Sequence, residues 1–147
     1  MAMSQQNMQK VLFEDIAAKG RKQDISVRMV QKDGEMLISA IDVVQVACGH
    51  SNKSESAQLV REHLVHAAFT SVNGDKEVKR IQFPGERQRE TPVLTFQQCL
   101  ILIGTFSPEK YPIVRQLQKE YYATYTALCG GDLRLADEVR RVNAAHE

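Results

Sequence analysis

The segment from Lys79 to Phe106, KRIQFPGERQRETPVLTFQQCLILIGTF, constrains the fold more than any other part of the chain. Two short apolar runs, Ile81–Phe83 and Pro92–Phe96, flank a polar loop that starts at Pro84-Gly85, a pattern typical of a β-hairpin. At Phe96 the spacing of apolar residues changes from every second position to about every 3.6 positions, which predicts a helix directly after the second strand. Because this helix is apolar on nearly all sides, we expect it to lie in the middle of the core.

Both the start of this helix and the hairpin loop carry informative side chains. Thr95 can cap the helix, and Gln98, three residues later, completes a capping-box pattern. The loop sequence GERQRE, with two arginines, is the best-marked basic protrusion in the sequence. The remaining elements are therefore expected to pack around a hairpin–helix unit that has a basic tip.

Length and composition indicate one soluble domain. The chain has 147 residues, of which 43% are hydrophobic and 25% charged, and this is enough to bury a core without disulfides or metal. We expect a single domain over residues 8–147, preceded by a flexible segment over residues 1–7. No apolar run is long enough for a membrane span and no signal peptide is visible, so the sequence predicts an intracellular protein without a membrane partner.

The cysteine content and the net charge narrow the range of possible functions. Cys48, Cys99 and Cys129 are odd in number and widely spaced, which favours buried free thiols over disulfides or a zinc site. The formal net charge is only +1. Nucleic-acid binding would therefore have to come from a local basic patch.

The N-terminal part contains an ambiguous element and a second hairpin. Residues Gln9–Lys19 fit a helix that Gly20 closes, although Val11–Phe13 would also serve as a short strand. Residues Ile25–Val30 alternate in polarity, and Glu35–Ser39 resumes a strand after the turn residues Lys32-Asp33-Gly34. These features predict a hairpin.

Two helices joined by a short polar turn follow this hairpin. Ser39 is placed to cap a helix that ends at Gly49, and a second helix is predicted from Ser54 to Ala68. The pair has the shape of a helix-turn-helix element. The whole pattern predicts an α+β fold in which small β-hairpins pack with four to five helices.

The C-terminal third is predicted to be helical. Pro112 is a suitable first residue for a helix that runs to Leu128, and Asp132 can cap a last helix over Leu133–Ala145. The first of these helices is apolar or aromatic on more than one face, which also fits a helix pair across a homodimer. The alternative function is therefore a protein-protein interaction or homo-oligomerisation module on the same fold, without DNA binding of its own. The residues that would contribute to this self-association are Leu117, Tyr121, Tyr122 and Tyr125.

Several short motifs occur in one order along the chain. They are Asp33-Gly34-Glu35, Ala40 with Asp42-Val43, Gly49 with Ser51-Asn52, Pro84-Gly85, and Ser107-Pro108-Glu109-Lys110. In this order the sequence resembles the Bro-N domain of phage antirepressors and baculovirus Bro proteins, which is related to the KilA-N group. The resemblance covers about residues 24–128. Glu86 replaces the second glycine of the family's loop, and Leu117 with Tyr121-Tyr122 stands where the family has an aromatic–Trp pair.

The resemblance implies a small α+β DNA-binding domain of a regulatory protein, with double-stranded DNA as partner. One candidate surface is the turn and start of the second helix, because amide and guanidinium groups there can reach base edges in the major groove. The same side chains also suit helix capping and a solvated helix face. This surface comprises Asn52, Lys53, Ser54, Gln58 and Arg61.

The second candidate surface is the basic hairpin, which could lie along a phosphate backbone. Interleaved glutamates also allow its charges to pair with each other. This surface comprises Lys76, Lys79, Arg80, Arg87 and Arg89.

Nothing in the sequence favours an enzyme, a cofactor or a small-molecule substrate. There is no phosphate-binding loop, nucleophile elbow or dinucleotide fingerprint. His63 and His66 lie on one predicted helix with Cys48 on the previous one, but no fourth residue has metal-ligand spacing. We therefore assign these histidines to a partly buried helix flank.

Overall fold

The computed structural model describes residues 5–49, 52–85 and 89–128, which form a mixed α+β fold. Its helices are α1 (Gln5–Lys22), α2 (Ala40–Cys48), α3 (Lys53–Leu64), α4 (Ala67–Asn73), α5 (Phe96–Gly104), α6 (Pro112–Glu120) and α7 (Tyr122–Leu128). Its strands are β1 (Met29–Lys32), β2 (Glu35–Ser39), β3 (Lys79–Ile81) and β4 (Thr91–Leu94). The predicted α+β class is confirmed at this level.

The four strands form one antiparallel sheet in the order β1-β2-β4-β3. The β1–β2 hairpin turns at Asp33 and Gly34, whose φ angles are 53° and 78°. Positive φ at both central residues is the geometry that suits the twist of a two-residue hairpin. Strand β4 lies between β2 and β3, so the two predicted hairpins share one sheet.

Helix α5 occupies the core, as its apolar sequence predicts. Its residues from Gln98 to Ile103 are all buried, and it contacts α1, α2, α4, α6 and α7 as well as β2 and β4. The predicted capping box is present, because the Thr95 hydroxyl accepts from the Gln98 backbone N–H and the Gln98 amide oxygen accepts from the Thr95 backbone N–H, both at 3.2 Å. This box fixes where β4 ends and α5 begins.

The first predicted strand is shifted along the chain. It was expected over Ile25–Val30, whereas β1 starts at Met29. The reason is that β2 ends at Ser39, where the Ser39 side chain caps α2. The last inter-strand bond is therefore the one from the Ser39 N–H to the Arg28 carbonyl, and the residues before Arg28 have no strand to pair with.

Two helices that were predicted as continuous are interrupted, and the five predicted helices in the described part therefore become seven. The helix expected from Ser54 to Ala68 ends at Leu64, because the His66 ring nitrogen accepts from the Ala68 backbone N–H at 3.0 Å and caps α4. The helix expected from Pro112 to Leu128 breaks at Tyr121, which packs against the core.

The N-terminal segment, for which the sequence allowed either a helix or a short strand, forms helix α1. It begins at Gln5, inside the segment predicted to be flexible, and it buries Leu12, Phe13 and Ile16 completely or nearly so. The helix predicted over Leu133–Ala145 lies outside the described residues.

Candidate nucleic-acid interface

The start of α3 is fixed by a side-chain cap. The Asn52 carboxamide oxygen accepts from the Glu55 backbone N–H at 2.9 Å, as the capping interpretation of Asn52 predicts. Lys53, Ser54 and Arg61 are exposed on α3. Gln58 is also exposed, but its amide donates to Glu62 on the same helix at 3.3 Å.

The residues of the basic hairpin divide into two groups. The Lys76 ammonium donates to Gln97 at the start of α5 at 3.2 Å, and the Lys79 ammonium lies 4.0 Å from the Glu35 carboxylate on β2. Arg80 and Arg89 are exposed and face α3 instead. Arg87 lies outside the described residues.

A groove of about 650 Å³ lies between α3 and the β3–β4 hairpin, and it brings the two predicted surfaces together. Lys53, Ser54 and Arg61 line one wall, and Arg80 and Arg89 line the other. Lys76 and Lys79, by contrast, do not line it. The charged side chains around the groove are Arg28, Lys53, Arg61, Arg80 and Arg89, opposed by Glu90.

Behind this groove lies a buried ion pair that was not predicted from the sequence. Asp42 is fully buried on α2, and its carboxylate accepts from the Arg28 guanidinium at 2.8 Å and 3.1 Å and from the Arg28 backbone N–H at 2.9 Å. The Lys53 ammonium lies 3.9 Å from the same carboxylate. Burying a carboxylate is tolerable only when it is paired in this way.

Arg28 also connects the pair to the hairpin. Its guanidinium carbon lies 4.9 Å from the centre of the Phe83 ring, which begins the hairpin loop. Arg28 therefore contacts α2 through Asp42 and the hairpin through Phe83. The alternating pattern of Ile25–Val30 puts Arg28 on the polar side of the predicted strand, and the clue to its partner was an aspartate between Ile41 and Val43 in a mostly apolar helix.

The residues predicted for self-association differ in how exposed they are. Leu117 is buried within the core, so its side chain offers no surface to a second copy of the chain. Tyr121 is half-buried, and burial together with the nearby Asp15 and Glu120 carboxylates raises the pKa of its phenol. Tyr122 is half-buried as well, and the side chain of Tyr125 lies outside the described part.

His63 forms a structural contact between α3 and the end of α5. Its ring stacks on Phe106 with 3.8 Å between the ring centres and a 6° angle between the planes. Its Nδ1 lies 2.8 Å from the Thr105 hydroxyl, which itself donates to the Leu102 carbonyl. Nδ1–H is therefore the donor to Thr105. Burial, reinforced by the neighbouring His66, lowers the pKa of His63.

The described cysteines are thiols in apolar surroundings. Cys99 is buried and Cys48 is half-buried, and neither is in a disulfide. Burial raises the pKa of Cys48 to about 12, although a hydrogen bond with Tyr111 opposes the rise. A thiol with such a high pKa is a poor nucleophile at neutral pH. Cys129 lies outside the described residues.

Comparisons with known proteins identify no relative of this chain. No family model, no curated protein and no solved structure matches the chain. Within residues 5–49, 52–85 and 89–128, no helix has the length and apolarity to cross a membrane. In the same ranges, His, Cys, Asp and Glu side chains form no group of three that could hold a metal ion.

Proposed function

We propose that this protein is a DNA-binding regulatory domain without enzymatic activity, similar to Bro-N domains, which binds the duplex along the groove between α3 and the β3–β4 hairpin. The observation that carries the proposal is the meeting of two separately predicted basic surfaces. Lys53 and Arg61 on α3 face Arg80 and Arg89 on the hairpin across this groove. Cations on two walls can contact phosphates of both DNA strands.

The two walls have different roles in this proposal. Ser54 and Lys53 lie in the first turn of α3, which is the part of a recognition helix that reaches base edges in the major groove. Arg80 and Arg89 lie on an extended hairpin, which suits contact with the sugar-phosphate backbone. We therefore expect sequence preference to depend on α3, whereas the hairpin supplies affinity that does not depend on sequence.

Because the net charge is only +1, the proposal predicts how the affinity for DNA depends on salt concentration. A nearly neutral protein has little long-range attraction for DNA, so the groove cations must supply the electrostatic affinity. Release of counterions from about four phosphates gives a slope of about −4 for log K against log salt. A slope near zero would mean that the groove cations do not contact phosphates.

The test is the affinity for a labelled duplex, measured by fluorescence anisotropy over a series of salt concentrations. The Arg80→Gln/Arg89→Gln variant should bind about tenfold or more weakly at low salt, with a slope reduced by about 2, because two phosphate contacts are lost. Arg21→Gln is the matched control, since Arg21 is exposed on α1 and does not line the groove. Absence of duplex binding at low salt, or an equal loss in the control, would contradict the proposal.

A further inference from the structure

The floor of the groove differs in chemistry from its basic rim. It is formed by the aliphatic residues Ile41, Ala57, Val60, Leu64, Val65 and Pro92. Val65 lies at the end of α3 with 77% of its surface exposed. Within the described residues, Val11 on α1 is the other large hydrophobic residue that is exposed. Among the described residues, the most exposed large aliphatic side chain thus borders the groove that carries this basic rim.

Binding of duplex DNA does not account for this floor. Charged phosphates gain nothing from covering valine and leucine side chains, and the described residues that line the groove include no aromatic ring on which a base could stack. An aliphatic floor beneath a cationic rim is instead complementary to a ligand that carries both aliphatic groups and carboxylates. The groove volume of about 650 Å³ lies within the range of specific binding sites.

We propose that the groove is also the docking site for an acidic amphipathic helix of a partner protein. Its branched aliphatic side chains would be buried against Leu64, Val65 and Pro92, and its carboxylates would meet Arg61, Arg80 and Arg89. This is the helix-in-groove mode of recognition, in which apolar anchors supply affinity and charges set orientation. Among the described residues that line the groove, Glu90 is the one acidic residue, and five basic residues outweigh it.

The docking site overlaps the proposed DNA site, because both use the same arginines. A bound acidic helix would therefore exclude the duplex, and the partner would act as a regulator of DNA binding. This consequence rests on the proposed function. The docking of the helix itself does not, since it depends only on the floor and the rim.

The experiment uses the full chain and a fluorescein-labelled synthetic peptide of about 14 residues, which gives about four helical turns. Leucines at positions i, i+3, i+4 and i+7 provide an apolar stripe, and glutamates occupy most other positions. One control peptide replaces the leucines by serine and another replaces the glutamates by glutamine. Binding of the acidic amphipathic peptide should exceed that of both controls by at least about tenfold, because each control lacks one of two required contributions.

The matched variants are Val65→Ser and Val11→Ser, which make the same change at two exposed positions and do not disturb the core. Val65→Ser should weaken peptide binding roughly threefold to tenfold, because it removes an aliphatic contact that the peptide buries, and it should leave duplex affinity unchanged. Val11→Ser should alter neither affinity. Equal effects of the two variants, or equal binding of the serine peptide, would overturn the docking site.

Competition between the peptide and a labelled duplex separates the two proposals. Displacement of the duplex by the peptide is the expected result. Peptide binding without duplex binding would leave the docking site in place and refute the DNA-binding function. Duplex binding without peptide binding would refute the docking site alone.

Discussion

Arg28 connects α2 with the hairpin that forms one wall of the groove. It neutralises the buried Asp42 carboxylate on α2 and stacks on Phe83 at the base of the hairpin loop. Only arginine combines a two-pronged hydrogen-bonding group with a flat cation that can cover an aromatic ring. Its contribution is therefore one of position, because it fixes the hairpin relative to the helix pair.

Replacing Arg28 with methionine should destabilise the fold by about 3 kcal/mol. The apolar side chain would still cover Phe83, but among the described residues the buried Asp42 carboxylate would keep the backbone N–H of residue 28 and the more distant Lys53 as partners. Urea unfolding followed by circular dichroism measures the change. The double variant Arg28→Met/Asp42→Asn should recover most of the loss, since no charge is then left buried. A loss below about 1 kcal/mol for the single variant would mean that Asp42 is adequately paired without Arg28.

The lowered pKa of His63 predicts how the free energy of unfolding depends on pH. Its pKa in the folded protein lies below the ordinary value of 6.5, with burial as the main cause. When the pH falls below 6.5 the unfolded chain takes up a proton that the folded chain resists, so the free energy of unfolding decreases. The decrease ends below the pKa of the folded state. Well above pH 6.5 the imidazole is neutral in both states, and His63 adds no pH dependence.

The measurement is the difference in unfolding free energy between the wild type and His63→Gln across this pH range. The difference removes contributions from other groups, including Glu120, whose pKa is raised by burial and by hydrogen bonding with Asp15. Wild-type stability should fall more steeply than that of the variant between pH 6.5 and pH 5. Parallel curves would show that the His63 contact with Phe106 and Thr105 does not oppose protonation.

At the scale of elements, Gly20 determines how α1 approaches α2. A Cβ atom on this residue would lie 2.8 Å from the Ile25 carbonyl oxygen and 3.0 Å and 3.2 Å from methyl groups of Val27 and Val46. In a free helix, glycine to alanine is stabilising by about 1 kcal/mol. Here the new methyl group has no space, because the nearest atom belongs to the backbone.

We therefore expect Gly20→Ala to destabilise the protein by about 1–2 kcal/mol, with the opposite sign to helix propensity. Thermal and urea unfolding measure this change in the free energy of unfolding. Ala17→Gly in the same helix is the control, because it reports the ordinary propensity difference for α1. A stabilising Gly20→Ala substitution would show that α1 and the following turn can separate at no cost.

Elements that depend on local sequence were predicted well. The capping box of Thr95 and Gln98, the Asp33-Gly34 turn and the end of α2 at Gly49 each involve residues a few positions apart. The predictions that failed have two causes. The break between α3 and α4 comes with the His66 side chain, which caps α4, and the late start of β1 follows from the end of its partner strand β2 at Ser39, where α2 begins. No spacing rule along the chain contains that information.

The candidate site shows the same division. Arg61, Arg80 and Arg89 were recognisable as cations on exposed elements, and their convergence on one groove is a property of the tertiary fold, which brings the hairpin and α3 to the same groove. Lys76 and Lys79 belong to the same sequence cluster, yet they contact Gln97 and Glu35 instead. Charge clustering in the sequence therefore identified the surface without identifying which cations share it.

At the scale of the whole molecule, α1 belongs to the folding unit although the family resemblance does not include it. The resemblance covers about residues 24–128, whereas Leu12, Phe13 and Ile16 of α1 are at most 2% exposed. Loss of one large core side chain costs about 3 kcal/mol, and a whole domain is stable by only about 5–15 kcal/mol. The remaining strands and helices would also expose the core surface that α1 covers.

We therefore expect a chain that lacks residues 1–23 to lose cooperative thermal unfolding, because the missing helix removes three core side chains at once. The control is deletion of residues 1–7, which leaves Leu12, Phe13 and Ile16 in place and should shift the melting temperature by only a few degrees. Circular dichroism at the helix band measures the melting transition of both truncated chains. If the chain without residues 1–23 melted cooperatively near the wild-type temperature, the core would close over without α1, and the domain would begin near residue 24.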